Sequence, residues 1–290
     1  MYGGCKMYTK SNMLDYYRKS ISDTITKAQK LDKNNKKSNL VNKKMKDLLN
    51  ELLIMNPSPD LNYILMAHYT YYIVMLESRN AVWKYDYMAF SRRIGELWEP
   101  FCKLAFEYAN TDVKFYEPES YDQYKLKLSS EINEFISSLD ISDTEVIKLK
   151  NYTNALWGLS ESGAINLKED LHFIVDNKYY VVDFKSGFSS NEKGNVNRLL
   201  QVGKIYSSIN YECLIFVRQN EEENNHYLQT LKHSKIWDVY CSDETYEKIF
   251  SITGVDLKTW MKENMNWGQD ISKEFKKYLI DNKLMQYLTW

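Results

Sequence analysis

Two aspartates and a lysine lie within residues 170–185, DLHFIVDNKYYVVDFK, and side chains of these types suit metal-dependent chemistry. The segment is typical of two short strands joined at residues 176–177, because Asp and Asn both tolerate the positive φ of a two-residue hairpin turn. A turn there places Asp170 directly opposite Asp183. Lys185, two residues further on, projects from the same face of the hairpin.

Carboxylates that face each other across an antiparallel pair have Cβ atoms about 5 Å apart and repel each other. A divalent cation held between them offsets this repulsion, since hard cations prefer oxygen ligands. The predicted apolar face carries Leu171, Phe173, Val175, Tyr180, Val182 and Phe184, and the polar face carries Asp170, His172, Asp183 and Lys185, with Ile174 and Val181 as filler. An ordinary surface hairpin with its charges in water is the alternative, but the register, apolar back and spacing together favour a metal site.

These residues resemble the PD-(D/E)xK, or restriction-endonuclease-like, nuclease superfamily, over about residues 91–217. Asp170 fits its first acid and the triplet 183–185 fits its acidic-x-Lys signature. The interval between the two acids is usual in RecB-type members, whereas Glu169 stands where the superfamily often has proline. The resemblance implies that Asp170 and Asp183 hold one or two Mg²⁺ ions, with the Phe184 carbonyl as a further ligand. It also implies that Lys185 orients the attacking water, and that the products carry 5′-phosphate and 3′-hydroxyl ends.

Residues 91–110 predict an amphipathic helix ahead of the sheet. Superfamily members often carry a glutamate on such a helix, which makes Glu99 the first candidate for a further catalytic residue and Glu96 the second. Both could equally be solvated helix charges. Pro100 within the pattern indicates either a kink or the first turn of a helix that starts later.

The segment after the triplet predicts contacts to DNA. Residues 186–197 are rich in Gly, Ser and Asn and predict a loop, followed by a helix over residues 197–209. Gln201 resembles the downstream glutamine of RecB-type nucleases, although the interval to Tyr206 is one residue longer than in that motif. The polar side chains predicted to contact phosphates or bases are Ser186, Ser189, Asn191, Lys193, Asn195, Arg198, Gln201 and Lys204. For Arg198 and Lys204 a solvated helix face is the alternative.

Charge is unevenly distributed along the 290 residues, although the net charge is only −1. Residues 1–50 hold twelve Lys or Arg against four Asp, while the remaining 240 residues hold 26 basic against 35 acidic residues. The basic part could lie along a DNA backbone or be a solvated, partly disordered segment. The four cysteines form no Cys-x-x-Cys pair, and no stretch suits a signal peptide or a membrane span. A reduced, cytoplasmic protein is therefore expected.

The pattern changes from helices to alternating strands and helices along the chain. Helices are predicted over 12–30, 39–55, from an N-cap at Asp60 through 75 or beyond, and over 121–139, 143–157, 226–234, 245–250, 257–264 and 269–288; strands are predicted over 170–175, 179–185, 211–219 and 236–241. This order predicts an α/β fold. By resemblance it is a restriction-endonuclease-like core, a central mixed sheet flanked by helices, over 91–290 with a helical N-terminal region over 1–90.

The expected function is that of a type II restriction endonuclease, a Mg²⁺-dependent enzyme that cuts double-stranded DNA at specific sites. Such an enzyme is expected to act as a homodimer on a palindromic site and to have a companion DNA methyltransferase. No G-x-x-x-x-G-K-[ST] motif is present to bind ATP. The alternatives are a RecB-type exonuclease or repair nuclease of the same superfamily, and a DNA-binding module without catalytic activity.

Overall fold

The computed structural model of the protein describes residues 9–158, 165–189 and 191–290. The described residues form twelve α-helices and one mixed sheet of five strands, so the predicted α/β class is confirmed. Within these residues no helix is both long and apolar enough to cross a lipid bilayer.

Three long helices open the described chain: α1 (Lys10–Gln29), α2 (Asn34–Met55) and α3 (Leu61–Val82). The predicted cap of α3 is confirmed, because Asp60 Oδ1 accepts the backbone N–H of Tyr63 at 2.7 Å. Helix α2 begins five residues before the predicted start, so the Lys- and Asn-rich stretch belongs largely to the helix. Its buried side chains recur at helical spacing and pack on α1 and α3.

Helix α4 (Tyr87–Glu107) leads towards the sheet and begins four residues before the predicted start at residue 91. Asp86 caps it by accepting the N–H of Ala89 at 2.7 Å. Pro100 lies inside this helix rather than in its first turn. The signal for the earlier start was Asp86, an N-cap residue type directly before the helix.

The sheet has the strand order β1-β2-β3-β4-β5. Its strands are β1 (Lys114–Phe115), β2 (Leu171–Val175), β3 (Lys178–Lys185), β4 (Glu212–Val217) and β5 (Asp238–Cys241). Strand β2 is antiparallel to both of its neighbours, β1 and β3, whereas β3, β4 and β5 run parallel to one another. Strand β3 is therefore central and is hydrogen-bonded on both sides.

The predicted hairpin between β2 and β3 is confirmed. Asp176 and Asn177 have φ values of 51° and 60°, as a type I′ turn requires. Leu171 lies opposite Val182. Continuing this register by one residue places Asp170 opposite Asp183, as the sequence predicts.

Helices connect the strands. Helices α5 (Tyr121–Ser138) and α6 (Asp143–Gly158) lie between β1 and β2, whereas α7 (Lys193–Ser208) and α8 (His226–Ser234) make the crossovers of the parallel strands. The prediction that residues 186–197 form a loop is wrong at its end, because α7 begins at Lys193. A parallel pair needs such a crossover, and a helix is the usual one.

The C-terminal helices are α9 (Asp243–Thr253), α10 (Leu257–Asn264), α11 (Trp267–Asp270) and α12 (Lys273–Asp281). The prediction of one helix over 269–288 is wrong. Ser272 interrupts it with extended backbone and caps α12 by accepting the N–H of Phe275 at 3.3 Å. Ser is a preferred N-cap residue because its hydroxyl satisfies a free backbone donor.

The sheet separates two apolar cores. One face contributes Phe173, Val182, Phe184, Leu214 and Phe216 to a core that continues through α4 into α1–α3 and the C-terminal helices. The other face packs on α7 and α8 through Val181, Cys213, Ile215 and Val217. The hairpin face predicted to be polar therefore has a helical cover, and Val181 is core rather than filler. The first core extends across residue 90, and the division into 1–90 and 91–290 stays a prediction.

Candidate active site

Asp183 lies near the end of β3 and is almost fully buried, with 2% of its surface exposed. Its neighbour across the parallel ladder is Ile215 in β4. The side chain projects from the face that α7 covers. A carboxylate at this depth requires compensating charge or a proton.

Asp170 is fixed to the same strand by a hydrogen bond. Its Oδ2 accepts the backbone N–H of Phe184 at 2.7 Å. Asp170 immediately precedes β2, so this bond continues the β2–β3 ladder by one side-chain contact. The sequence-predicted pair of carboxylates is thus brought together at one end of the hairpin.

Lys185 completes the group. Its Nζ is in ion-pair contact with Asp183 Oδ2, and its side chain is 19% exposed. The Oδ2 atom is buried and has no hydrogen bond of regular geometry to any described residue. The ammonium thus stands beside a carboxylate oxygen that retains acceptor capacity.

Arg198 links Asp183 to a second buried acid. Its Nη2 lies 3.3 Å from Asp183 Oδ1, and its Nη1 lies 2.7 Å from Glu169 Oε1. The Glu169 side chain is fully buried. Arg198, a residue of α7, therefore links the segment that precedes β2 to the end of β3.

Two further side chains extend this network. The Tyr206 hydroxyl donates to Glu169 Oε2 at 2.7 Å, and His172 Nε2 lies 3.1 Å from the same hydroxyl. Since a phenol has only one hydrogen to donate, the His172 Nε2–H must be the donor in the second bond. This assigns the proton of the buried imidazole to Nε2.

Burial dominates the electrostatics of the site. It raises the pKa of Asp183 to about 6; the Lys185 ammonium opposes the rise and Asp170 adds to it. Burial also lowers the pKa of His172 to about 4. Both groups are thus biased towards their neutral forms.

These two shifts predict opposite pH dependences of stability. The folded protein keeps the Asp183 proton up to about pH 6, whereas an unfolded chain releases it near 3.8, so this group lowers the free energy of unfolding as pH rises between these values. His172 ordinarily titrates near 6.5 and here near 4, so it raises the free energy of unfolding over nearly the same window. Each effect is at most about 3 kcal/mol. In EDTA, we expect acidification from pH 6 to pH 4 to raise the free energy of unfolding of His172→Gln relative to that of Asp183→Asn.

Urea unfolding of both variants at several pH values measures the difference. All other titrating groups are shared, so they cancel when the two curves are compared. Parallel curves for the two variants would show that neither pKa is displaced.

Helix α4 carries Glu99, the first candidate for a further catalytic acid. Its Oε1 accepts from Lys103 Nζ at 2.7 Å, and that ammonium lies 5.8 Å from the centre of the Phe184 ring. Glu96, the second candidate, pairs with Arg92 and Arg93. Glu99 therefore reaches the neighbourhood of Phe184 through its lysine partner, and its catalytic role stays a prediction.

The predicted DNA-contacting side chains in the loop after β3 differ from one another in their surroundings. Ser186 Oγ accepts from Arg218 Nε at 3.1 Å, which ties the start of the loop to the residue after β4. Ser189 and Asn191 are exposed. The latter two are free to meet a ligand, while Ser186 already has an internal partner.

The other predicted contacts lie on α7, which includes Lys193 and Asn195 from the predicted loop. Asn195 donates to Glu192 Oε2 at 2.9 Å, and Arg198 is committed to the two buried acids. The exposed members are Lys193, Gln201 and Lys204. Gln201 follows Arg198 by three residues and so lies on the same side of the helix.

The two carboxylates suit a Mg²⁺ site, in which the protein supplies few ligands, better than a metal site whose ligands all come from the protein. Within the described residues no three His, Cys, Asp or Glu side chains converge to hold a metal. Mg²⁺ usually takes one or two carboxylates and keeps several waters or substrate phosphates. Asp170 and Asp183 fit that pattern, since Asp183 Oδ2 contacts only the Lys185 ammonium and keeps acceptor capacity, and the Phe184 carbonyl stays a predicted ligand.

Sequence reasoning missed Glu169 as a site residue. The sequence shows it only as an acid in place of the superfamily's proline, and one more surface charge would look the same. The interval from Gln201 to Tyr206 departs from the RecB-type motif, yet the Tyr206 hydroxyl donates a hydrogen bond to Glu169. Their contacts depend on how α7 docks on the sheet, which residue types alone do not reveal.

Comparison with known proteins adds no relative. No protein-family model, curated protein or solved structure matches the chain.

Proposed function

We propose that the protein is a Mg²⁺-dependent endonuclease of the PD-(D/E)xK type that cleaves double-stranded DNA at specific sites. The observation that carries the proposal is the arrangement at the end of the central strand. Asp183 and Lys185 lie there in ion-pair contact, and Asp170 is bonded to the N–H of the residue between them.

The architecture supports this assignment. A mixed sheet with helices on both faces agrees with the core that the resemblance implies. Helix α4 lies ahead of the sheet, and α7 follows the strand that bears the triplet. Asp183 and Lys185 thus stand on the central strand, and Asp170 directly precedes β2 and is bonded to that strand, which favours a preorganised site.

Each side chain has a separate task in this mechanism. Asp170 and Asp183 would bind Mg²⁺, which when bound supplies positive charge to the phosphoryl oxygens and lowers the pKa of a water. Lys185, a compact charge, orients the attacking water and stabilises negative charge that develops in the transition state. Arg198 holds Asp183 at its other oxygen and so limits its rotation.

Cutting both strands of a palindromic site requires two active sites related by a two-fold axis. The proposal therefore includes a homodimer. It also includes a companion DNA methyltransferase, because a host must protect its own copies of the site.

The test is incubation with plasmid and phage DNA, with Mg²⁺ or with EDTA. Asp183→Ala is the inactive variant, and Asp281→Ala, which removes an exposed acid at the end of α12, is the matched control. We expect discrete fragments with Mg²⁺ from the native protein and the control only. Progressive shortening from DNA ends would replace this function with that of a RecB-type exonuclease. Binding without cleavage, on methylated and unmethylated DNA alike, would indicate a non-catalytic module.

A further inference from the structure

A cavity of about 190 Å³ lies at the corner where α3 meets α4, away from the metal-binding carboxylates. Four cationic side chains line it, Arg79, Lys84, Arg92 and Arg93, against two acids, Asp86 and Glu96. Both acids are already engaged: Asp86 caps α4, and Glu96 pairs with the two arginines of its own helix. The cavity therefore keeps an excess of positive charge.

Two buried polar groups at this cavity make no hydrogen bond of regular geometry within the described part of the chain, Arg79 Nε and the Tyr85 hydroxyl. The Tyr85 oxygen has a contact with the Arg93 side chain, which donates to it, so the hydroxyl hydrogen stays without an acceptor. The guanidinium is held in place, because its Nη1 donates to Asn42 Oδ1 at 3.0 Å. A buried donor without an acceptor costs about 1–3 kcal/mol, so each group favours a ligand that supplies acceptor oxygens.

The charges of the neighbouring arginines act on both groups. Burial raises the pKa of Tyr85 to about 12, and the charges of Arg93 and Arg79 oppose the rise. The phenol consequently keeps its hydrogen at neutral pH and can donate it. Burial lowers the pKa of the Arg79 guanidinium and the charge of Arg93 lowers it further, while Tyr85 and Glu96 oppose the shift.

We propose that this cavity binds a phosphate group. A guanidinium fork matches phosphate geometry, and the Tyr85 hydroxyl adds a further donor. Trp83, 47% exposed, and the exposed Lys84 stand at the same cavity. An exposed indole offers a stacking surface for a base, so the phosphate belongs to a nucleic-acid strand.

Helix α4, which lines the cavity, also contacts the segment after β3. A Cβ at Gly95 of α4 would lie 2.6 Å from Ser186 Cβ, so this helix touches the residue that follows Lys185. Arg93 precedes Gly95 by only two residues. Adding these spans places the Arg93 Cα within about 15 Å of the Lys185 Cα.

The end of α3, which lines the cavity, also contacts the end of α1. Gln29 Nε2 donates to the carbonyl of Ala81 at 3.2 Å. The turn between α1 and α2 that follows carries exposed lysines: Lys27, Lys30, Lys33 and Lys36. Basic side chains thus lie both at the cavity and at this neighbouring turn. Resting on the proposed nuclease function, we assign the cavity to a backbone phosphate remote from the cleaved bond.

DNA binding in EDTA tests the assignment without cleavage. We would measure duplex affinity by anisotropy across a salt series for the native protein, Arg79→Gln, Arg93→Gln and the exposed-charge control Lys262→Gln. Loss of one phosphate contact should weaken binding several-fold and reduce the salt slope by about one. We expect this for both arginine variants and an unchanged slope for the control.

Inorganic phosphate provides a second measurement that needs neither arginine variant. Its titration into the native protein should change the fluorescence of Trp83, identified by loss of the signal in Trp83→Phe. Phosphate binding with unchanged DNA salt slopes would overturn the nucleic-acid assignment in favour of free phosphate. If phosphate does not bind and the salt slopes of the arginine variants are unchanged, the proposed site itself is overturned. Altered salt slopes of DNA binding in a protein that cuts no DNA would support the phosphate site and reject the nuclease function.

Discussion

Replacing Lys185 by methionine is expected to lower the rate of DNA cleavage at least about 100-fold. Methionine keeps much of the side-chain length but removes the ammonium that contacts Asp183. DNA affinity, measured with Ca²⁺ in place of Mg²⁺, should change little. The loss should therefore appear in the single-turnover rate rather than in substrate binding.

Two companion variants sharpen this result. Lys185→Arg keeps the charge but replaces a compact ammonium with a planar fork, so we expect only partial recovery of the rate. Asp183→Asn should instead lose both cleavage and the stabilisation that Mg²⁺ gives to the folded protein. A Lys185→Met protein that cuts DNA within threefold of the native rate would remove this lysine from the mechanism.

Replacing Glu169 by glutamine is expected to lower the free energy of unfolding by about 2 kcal/mol. The fully buried carboxylate accepts from Arg198 and Tyr206, each at 2.7 Å. The amide removes the ionic part of the first contact. Because the Arg198 side chain is 40% exposed and also contacts Asp183, the expected loss is below the 3–5 kcal/mol of a fully buried pair.

Urea unfolding in EDTA measures this change, with Tyr206→Phe as the matched partner. Removing the phenol oxygen should cost about 2 kcal/mol, since the bond to the Glu169 carboxylate is lost and the buried His172 Nε2–H loses its acceptor. The double variant should be less destabilised than the sum of the two single changes, because both remove the same contact. Additive losses would mean that Glu169 and Tyr206 act independently.

The hairpin could be predicted from sequence because its signals are local. An Asp-Asn pair accepts positive φ, and strict alternation on both sides fixes the register, so the opposition of Asp170 and Asp183 follows from residue types. The start of α7 was predicted too late since Gly194 in its first turn is typical of a loop. Strand β1, only two residues long, has no period to detect.

The cover over the site could not be predicted in the same way. A strand face with His172 and Asp183 has the polarity of a solvated face, yet α7 packs on it and buries both. Which helix docks on which face depends on long-range packing, and the sequence of a single strand does not determine it. The Glu169–Arg198 contact, across 29 residues, is a consequence of that docking.

The position of β3 between two hydrogen-bonded neighbours ties the proposed active site to cooperative unfolding. The backbone amides of residues 181–184 belong to the interior of the sheet, where opening requires the whole domain to come apart. Heat should therefore abolish the proposed cleavage at the temperature at which the protein unfolds, with no earlier loosening of the carboxylate pair. Any motion that admits and releases substrate must then occur in elements around this strand, while the strand itself serves as the fixed reference.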